Sequence, residues 1–443
     1  MPLFTRRKAE AAEEYRPLAE LPPLPEPPAP GPTGLRSLEA HRKYLLSCVS
    51  ELPPFRQNLL DALDLSLCEE IVAQVDLPRF DNSAMDGYVV RAVDVANASP
   101  DRPISLPVVG EIAAGSAALH RLSPGTAMKI MTGAPLPEQA DAIVPYENSD
   151  RGTSDVRVFA PSAVDQHVRH RGEDIEAGTR LFAPGDVLGA RDIGVLAGIG
   201  RSTVMVRPRP RVVVISTGTE LVEPGDTLER DEQIYDSNSF LLAAAVRAAG
   251  AQVFRVGQVG DDGELLKRVV TEQLLRADLI LTSGGISQGD YDVVKAVMPE
   301  VGVCDFASVA MQPGKPQGFG LIGPDRVPMI MLPGNPVSSF VSFEVFVRPV
   351  IRKLMGAQPY VRPTVKAEAA HAMTSVWGRQ QLARGVVSYT DSGRCQVTLP
   401  GGHGSHLLAD LARANALVIL PEQTEHVAAG EPLDVWLLEE LLG

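Results

Sequence analysis

Four glycine-bearing loops are the part of this chain best suited to hold a phosphorylated ligand: STGTE (216–220), GDDG (260–263), TSGGISQGDYD (282–292) and LPGNPVS (332–338). Glycine lets backbone approach a ligand closely, and a helix starting just after such a loop turns free N–H groups toward phosphate. Ser216, Gly218, Gly284, Gly285, Ser287, Pro333, Gly334 and Asn335 are therefore candidate binding positions. Interleaved with them are Glu220, Asp261, Asp290 and Asp292. Helix N-capping accounts for aspartates in such places. So does a hard-cation site, in which Mg²⁺ takes oxygen ligands and bridges carboxylates to substrate phosphate. The cation is favoured, because acids lining a phosphate crevice repel the ligand without one.

A second group centres on QPGKPQGFG (312–320), where a Pro-Gly turn sets Lys315 in a tight loop. Ser338 follows PGNP at the start of a helix, Arg384 lies in ARGVV and Ser405 in GGHGSH. Lysine, arginine and hydroxyls are the donors a tetrahedral dianion needs, although the sequence alone does not show that these four meet. A third group, LPRFDNSAMDGYVV (77–90) with MTGAPLP (131–137) and RHRGEDI (169–175), reads as a functional surface carried on loops. Two HxxH pairs, His167/His170 and His403/His406, have no Cys or Glu at ligand spacing, which disfavours catalytic zinc.

The elements that must position these groups follow from periodicity. RVVVIST is a continuous apolar strand, DSNSFLLAAAVRAAG a helix with a capping start and a glycine stop, and QVFRVGQVG a strand. GELLKRVVTEQLLRA is a helix, DLILTSGG a strand, and PMIMLPGNP a strand running into another helix. Strands apolar on both faces, alternating with helices, predict a doubly wound parallel sheet over 208–356, and ligands bind such sheets at the strands' carboxyl ends. The segment 80–174 holds short apolar runs between glycines and prolines and reads as an inserted β-rich domain. Residues 35–79 with 175–207 read as an elongated helical and linker domain, with Leu45, Leu46, Val49, Leu59, Leu60 and Leu63 at helical spacing. Residues 357–443 read as a C-terminal β-barrel or sandwich, and the proline-dense 1–34 as a mobile, disordered tail. The fold class is thus multidomain α/β.

Composition closes off several function classes. A formal net charge of −14 disfavours general nucleic-acid binding; an anion site must instead be local, since charges beyond about 8 Å are screened at physiological salt. No stretch offers the roughly 18 apolar residues of a membrane helix. The charged start, MPLFTRRKAEAAEEY, is unlike a secretory signal. Four scattered cysteines with no CxxC suit a reducing cytoplasm.

FDNSAMDGY, MTGAP, HRGED, STGTEL, IYDSNS, TSGGISQGDYD, PGKP and LPGNPVS occur in this order. With them the chain resembles the family of bacterial molybdopterin molybdenumtransferases and the E domain of gephyrin, over roughly residues 36–443. The resemblance implies a homodimer whose crevice lies between the α/β domain of one subunit and the β domain of the other. It implies adenylyl-molybdopterin and molybdate as substrates, Mg²⁺ as cofactor, and molybdenum cofactor and AMP as products. By position, Glu220, Asp261 and Asp292 match the pterin-nucleotide and metal site, and Asp86, Thr132 and Asp174 match residues contributed across the dimer. Lys315, Ser338, Arg384 and Ser405 match the region that holds molybdate. The implied catalytic set is Asp86, Asp261, Asp292, Lys315 and Arg384. Two family lysines are replaced, by Gln312 and Ser308. Each lost charge-assisted hydrogen bond costs roughly 1.5–3 kcal/mol, or about 10- to 100-fold in affinity. The resemblance also leaves room for a gephyrin-like scaffold binding a membrane receptor or the tubulin-like division protein.

Overall fold

The computed structural model describes residues 22–115, 121–286, 292–402 and 404–438. Its centre is a six-stranded sheet. In chain order the elements are β1 (Arg211–Thr217), α1 (Ser237–Ala248), β2 (Gln252–Val259), α2 (Gly263–Leu274), β3 (Leu279–Ser283) and α3 (Val293–Val297). They continue with β4 (Gly302–Ser308), β5 (Pro316–Ile322), β6 (Val327–Leu332) and α4 (Pro336–Ser342). The strand order is β2-β1-β3-β6-β5-β4. The first four strands are parallel, and β5 runs antiparallel to both of its neighbours, β6 and β4.

The parallel strands are buried on both faces. In β1, Val212 and Val214 join one core with Leu242 and Val246 of α1. Val213 and Ile215 join the other, with Leu266 and Val270 of α2. All four β1 residues are fully buried, a contribution of roughly 1.5–3 kcal/mol each relative to exposure. This is why the run RVVVI has no polar alternation and leaves its polar residues, Ser216 and Thr217, for the strand end.

The antiparallel pair β4–β5 departs from the expected wholly parallel sheet. PQGFGLI, not among the strands expected from the sequence, is a strand whose glycines are required by close packing. A Cβ on Gly318 would lie 2.9 Å from Met331 Cβ, and one on Gly320 2.8 Å from Cys304 Sγ. The reversal has a consequence for the site. Because β5 runs against β6, its first residues, next to Lys315, lie at the same edge as the carboxyl ends of β1, β3 and β6.

The other parts are β-rich. Strands Gly87–Val90, Ile104–Ile112, Ala127–Ile130, Ala142–Pro145 and Asp155–Val158 form a five-stranded sheet. At the C-terminal end, Gln380–Tyr389, Cys395–Thr398, Thr364–Ala369, Pro432–Leu437 and Ala416–Leu420 close on themselves, since the first also pairs with the last. Met311–Gln312 adds to this barrel alongside Gln380–Gln381, which ties the turn before Lys315 to the C-terminal region.

The region read as helical and linker is mostly ribbon: Phe55–Asn58 pairs with Thr203–Val206, and Ile71–Val72 with Arg180–Phe182, beside one helix at Ala190–Gly198. Its first helix, Leu38–Ser47, packs elsewhere. Leu38, Tyr44, Leu45 and Val49 share the core of the α/β sheet. A buried group anchors it there, with Arg36 on Asp305 at 2.6 Å and on His41 Nδ1 at 3.1 Å. The helix-like spacing of Leu59, Leu60 and Leu63 does not make a long helix; only the single turn Leu60–Ala62 forms, and Leu60 is exposed. Of the proline-rich segment, residues 1–21 lie outside the described residues. Pro22 and Pro23 accept hydrogen bonds from Arg326, and Leu24 packs against the main core.

Candidate active site

The chain passes from β1 to β2 on one side and returns to β3 on the other, so the winding reverses between β1 and β3. Open α/β sheets bind ligands at that reversal, beyond the carboxyl ends of the strands. A cavity of about 320 Å³ lies there, within the usual range of small-molecule sites of roughly 300–1,000 Å³. Ser216, Gly218, Glu220, Asp261, Gly284, Gly285, Asp292 and Gly334 all line it, bringing together residues from all four loops. Pro333 and Asn335 flank Gly334 in the same loop; Ser287 and Asp290 lie outside the described residues.

The glycines at the mouth have steric reasons. Gly284 has φ +99°, and a Cβ there would lie 2.9 Å from the Thr217 carbonyl oxygen. Gly218 has φ +149°, and its Cβ would meet Glu220 Oε2 at 2.5 Å. Both positions lie in backbone space that side chains rarely adopt.

Capping and cation binding, both open from the sequence, divide among the acids. Asp236 and Asp262 are caps. Asp236 accepts from Ser239 N–H at 3.0 Å, and Asp262 from Glu264 and Leu265 N–H at 2.9 and 3.0 Å. Asp292 occupies the N-cap position of α3 but makes no capping bond, and its Oδ2 is buried with no hydrogen-bond partner among the described residues. Asp261 leaves capping to its neighbour and accepts weakly from Thr219, at 3.1 Å from the hydroxyl and 3.3 Å from the N–H. Glu220 is exposed at the rim. Among the described residues no three acidic, histidine or cysteine side chains are close enough to form a ready metal cage. Mg²⁺ commonly takes one or two carboxylates and completes its shell with water and substrate phosphate. A buried carboxylate oxygen without a donor fits that arrangement, since such a group is costly unless a cation or a hydrogen bond offsets it.

Five lining residues, 234–238, belong to IYDSNS, outside the expected site residues, and two of them hold the loops in place. Buried Asp236 accepts the Ser216 hydroxyl at 3.0 Å and so fixes the end of β1. Asn238 donates to Ser283 Oγ at 2.8 Å and to the Gly334 carbonyl at 2.6 Å, clamping two of the glycine loops together. Its own side-chain oxygen is buried without a partner among the described residues.

The four expected oxyanion residues do not share one cavity. Lys315 lines a space of about 340 Å³ beside the crevice. Arg384 lines a different one, of about 30 Å³, with Gln312, which leaves room for one or two waters. Arg384 is buried and already occupied: it donates to the carbonyls of Gly402, Gly404 and Leu407. Burial pulls its pKa below the usual guanidinium value, opposed by Asp410. Ser405 is brought against the start of α4, where its carbonyl accepts from Val337 N–H at 3.1 Å, next to buried Ser338.

Asp86 and Thr132 meet each other rather than the crevice. Thr132 donates to Asp86 through its N–H at 2.7 Å and its hydroxyl at 2.8 Å, and these bonds, the N–H first, hold the Asp86 carboxyl below the ordinary range. Asp174 is exposed in the turn that follows His170. None of the three lines the crevice of its own chain.

Known proteins are similar to this chain in sequence and fold. Three family models match in succession: "MoeA N-terminal region (domain I and II)" over 36–200, "Probable molybdopterin binding domain" over 213–353, and "MoeA C-terminal region (domain IV)" over 366–438. Molybdopterin molybdenumtransferase 2 of Mycobacterium tuberculosis H37Rv is 42% identical, over 91% of this chain and 99% of that protein. Molybdopterin molybdenumtransferase 1 of the same strain is 40% identical, over 92% and 100%. The crystal structure of a molybdopterin biosynthesis moeA protein from Pyrococcus horikoshii OT3 superposes with a TM-score of 0.76 at 29% identity, covering 91% of this chain and all of that one. A crevice at the sheet's reversal, flanked by domains that match from end to end, leaves one assignment: the chain belongs to the molybdopterin molybdenumtransferase (MoeA) family.

Proposed function

We propose that the protein inserts molybdate into adenylyl-molybdopterin with release of AMP, the last assembly of molybdenum cofactor. The observation that carries this is the crevice itself, where glycine loops admit a pyrophosphate and Asp292, in its lining, has a buried carboxylate oxygen with no hydrogen-bond partner among the described residues. The crevice's residues bind, orient and shield. Gly218, Gly284 and Gly334 let backbone close on the phosphates, and the Asp236 and Asn238 clamps hold those loops in place. Asp261 and Asp292, with Glu220 at the rim, are the residues that would hold Mg²⁺. When bound, Mg²⁺ neutralises the pyrophosphate and eases departure of AMP. No side-chain nucleophile is needed, because the dithiolene sulfurs of the substrate capture molybdenum.

A homodimer completes this reading. Asp86, Thr132 and Asp174 lie away from their own crevice, and a second copy would deliver them to it. The low carboxyl of Asp86 keeps that group charged for the purpose. The four cysteines are free, which suits the cytoplasmic location the substrate chemistry requires. No helix among the described residues is long and apolar enough to cross a membrane. No observation favours the receptor-binding scaffold or a division-protein partner. The test is AMP release from adenylyl-molybdopterin with and without molybdate, at fixed Mg²⁺; release that ignores molybdate sinks the reading.

A further inference from the structure

The cavity beside the crevice has a charge pattern that the motif-matched residues do not explain. It is lined by Ile286, Lys295, Phe306, Ser308 and Lys315 among others, and no carboxylate lines it among the described residues. Ile286 also lines the crevice, so the two spaces adjoin. Neither ammonium group, that of Lys295 or that of Lys315, has a hydrogen bond or ion pair to a described residue. Lys267 by comparison is held by Glu264 and Glu300, and Lys366 by Asp434. Like charges on two lysines that line one space repel each other. An anion between them removes that repulsion.

Both lysines stand on fixed backbone. The turn carrying Lys315 is braced by Gln317, whose amide donates to the Gly314 carbonyl at 2.6 Å and to Ser342 Oγ at 2.7 Å. The Lys315 carbonyl also accepts from Val309 N–H at 2.8 Å. Lys295 sits on α3, and its backbone N–H reaches the carbonyl of Gly285 at 3.2 Å, joining it to the crevice loop. Ser308 adds a hydroxyl donor where the family carries a lysine. The Arg384 space, by contrast, is too small for four oxygens and its guanidinium is occupied by carbonyls.

We infer that Lys295 and Lys315, with Ser308, form a tetrahedral-oxyanion subsite opening into the crevice, and that Lys295 supplies the second positive charge that Ser308 and Gln312 do not. The inference rests on the transferase reading and adds Lys295, which no sequence motif had marked. The oxyanion has two possible sources: free molybdate, or a phosphate group of the pterin nucleotide.

The experiment is titration of the full-length protein with molybdate by calorimetry, comparing wild type, Lys295→Gln and Lys295→Arg, alongside half-saturation for molybdate in AMP release. Lys295 is exposed, so the variants fold. The expected result is a dissociation constant about 10- to 100-fold weaker in Lys295→Gln, with most of the affinity restored in Lys295→Arg and half-saturation shifting in parallel. If molybdate binding is unchanged but the variant binds adenylyl-molybdopterin about 10-fold or more weakly, the subsite stands and its occupant is the substrate's phosphate. If neither affinity changes, the inference is overturned. A wild type that binds molybdate but shows no molybdate-dependent AMP release would overturn the transferase reading instead, leaving the subsite intact.

Discussion

Replacing Asp292 with asparagine removes one charge while keeping the shape of a side chain whose Oδ2 is buried and unpartnered. An unsatisfied buried polar atom costs roughly 1–3 kcal/mol, more when charged. The neutral amide lowers that cost, so Asp292→Asn without ligands is at least as stable as wild type and gains on the order of 1 kcal/mol. The same change deletes a carboxylate–cation contact worth about 1.5–3 kcal/mol, so half-saturating Mg²⁺ rises about 10- to 100-fold. Thermal melts with and without Mg²⁺ read both effects. Wild type should melt higher with Mg²⁺ and substrate, since a ligand that binds only the folded state raises stability. The variant should melt at or above wild type without ligand and show little Mg²⁺-dependent shift. A variant that melts several degrees lower without ligand, yet keeps the wild-type Mg²⁺ response, would refute the cation assignment. Asp292 would then be a structural residue.

Other perturbations follow from the same geometry. Gly284→Ala puts a Cβ 2.9 Å from the Thr217 carbonyl at φ +99°; the strain of about 1–3 kcal/mol should appear as weakened adenylyl-molybdopterin binding by calorimetry. Arg384→Lys gives up at least two of three charge-assisted bonds to the loop 402–407, about 2 kcal/mol or more, and should make that loop sensitive to limited proteolysis. His41 is held neutral by burial first and then by Arg36, with its pKa lowered from 6.5 to about 4. The unfolded chain takes up this proton as pH falls through 6.5 and the folded one does not, so His41's contribution is complete above 6.5. Roughly 3 kcal/mol of stability is lost between pH 6.5 and 4. Denaturant melts across that window should show the slope, and His41→Gln should flatten it.

The crevice was legible because its chemistry depends on local strings. A strand end, a glycine turn and a helix start are contiguous in sequence, and the parallel β–α alternation puts several such units at one edge. What the sequence hid depends on contacts between distant segments. Gly318 and Gly320 lower the strand propensity of PQGFGLI, and only the closeness of Met331 and Cys304 explains them. Leu38–Ser47 reads as part of its sequence neighbours, yet its apolar face belongs to the sheet 170 residues later in the chain, through Val212 and Val214. The capping of Asp236 and Asp262, as against the free Asp292, turns on which oxygen meets which N–H, and spacing does not decide that. Lys295 carried no signal at all, because its significance is the lack of a partner.

AMP release from adenylyl-molybdopterin by the full-length protein, measured against molybdate concentration at fixed Mg²⁺, tests the central claim most directly. The account predicts release that rises with molybdate and saturates, and that falls when Mg²⁺ is chelated. Release that is flat across molybdate concentrations, from protein that still binds the pterin nucleotide, would contradict it.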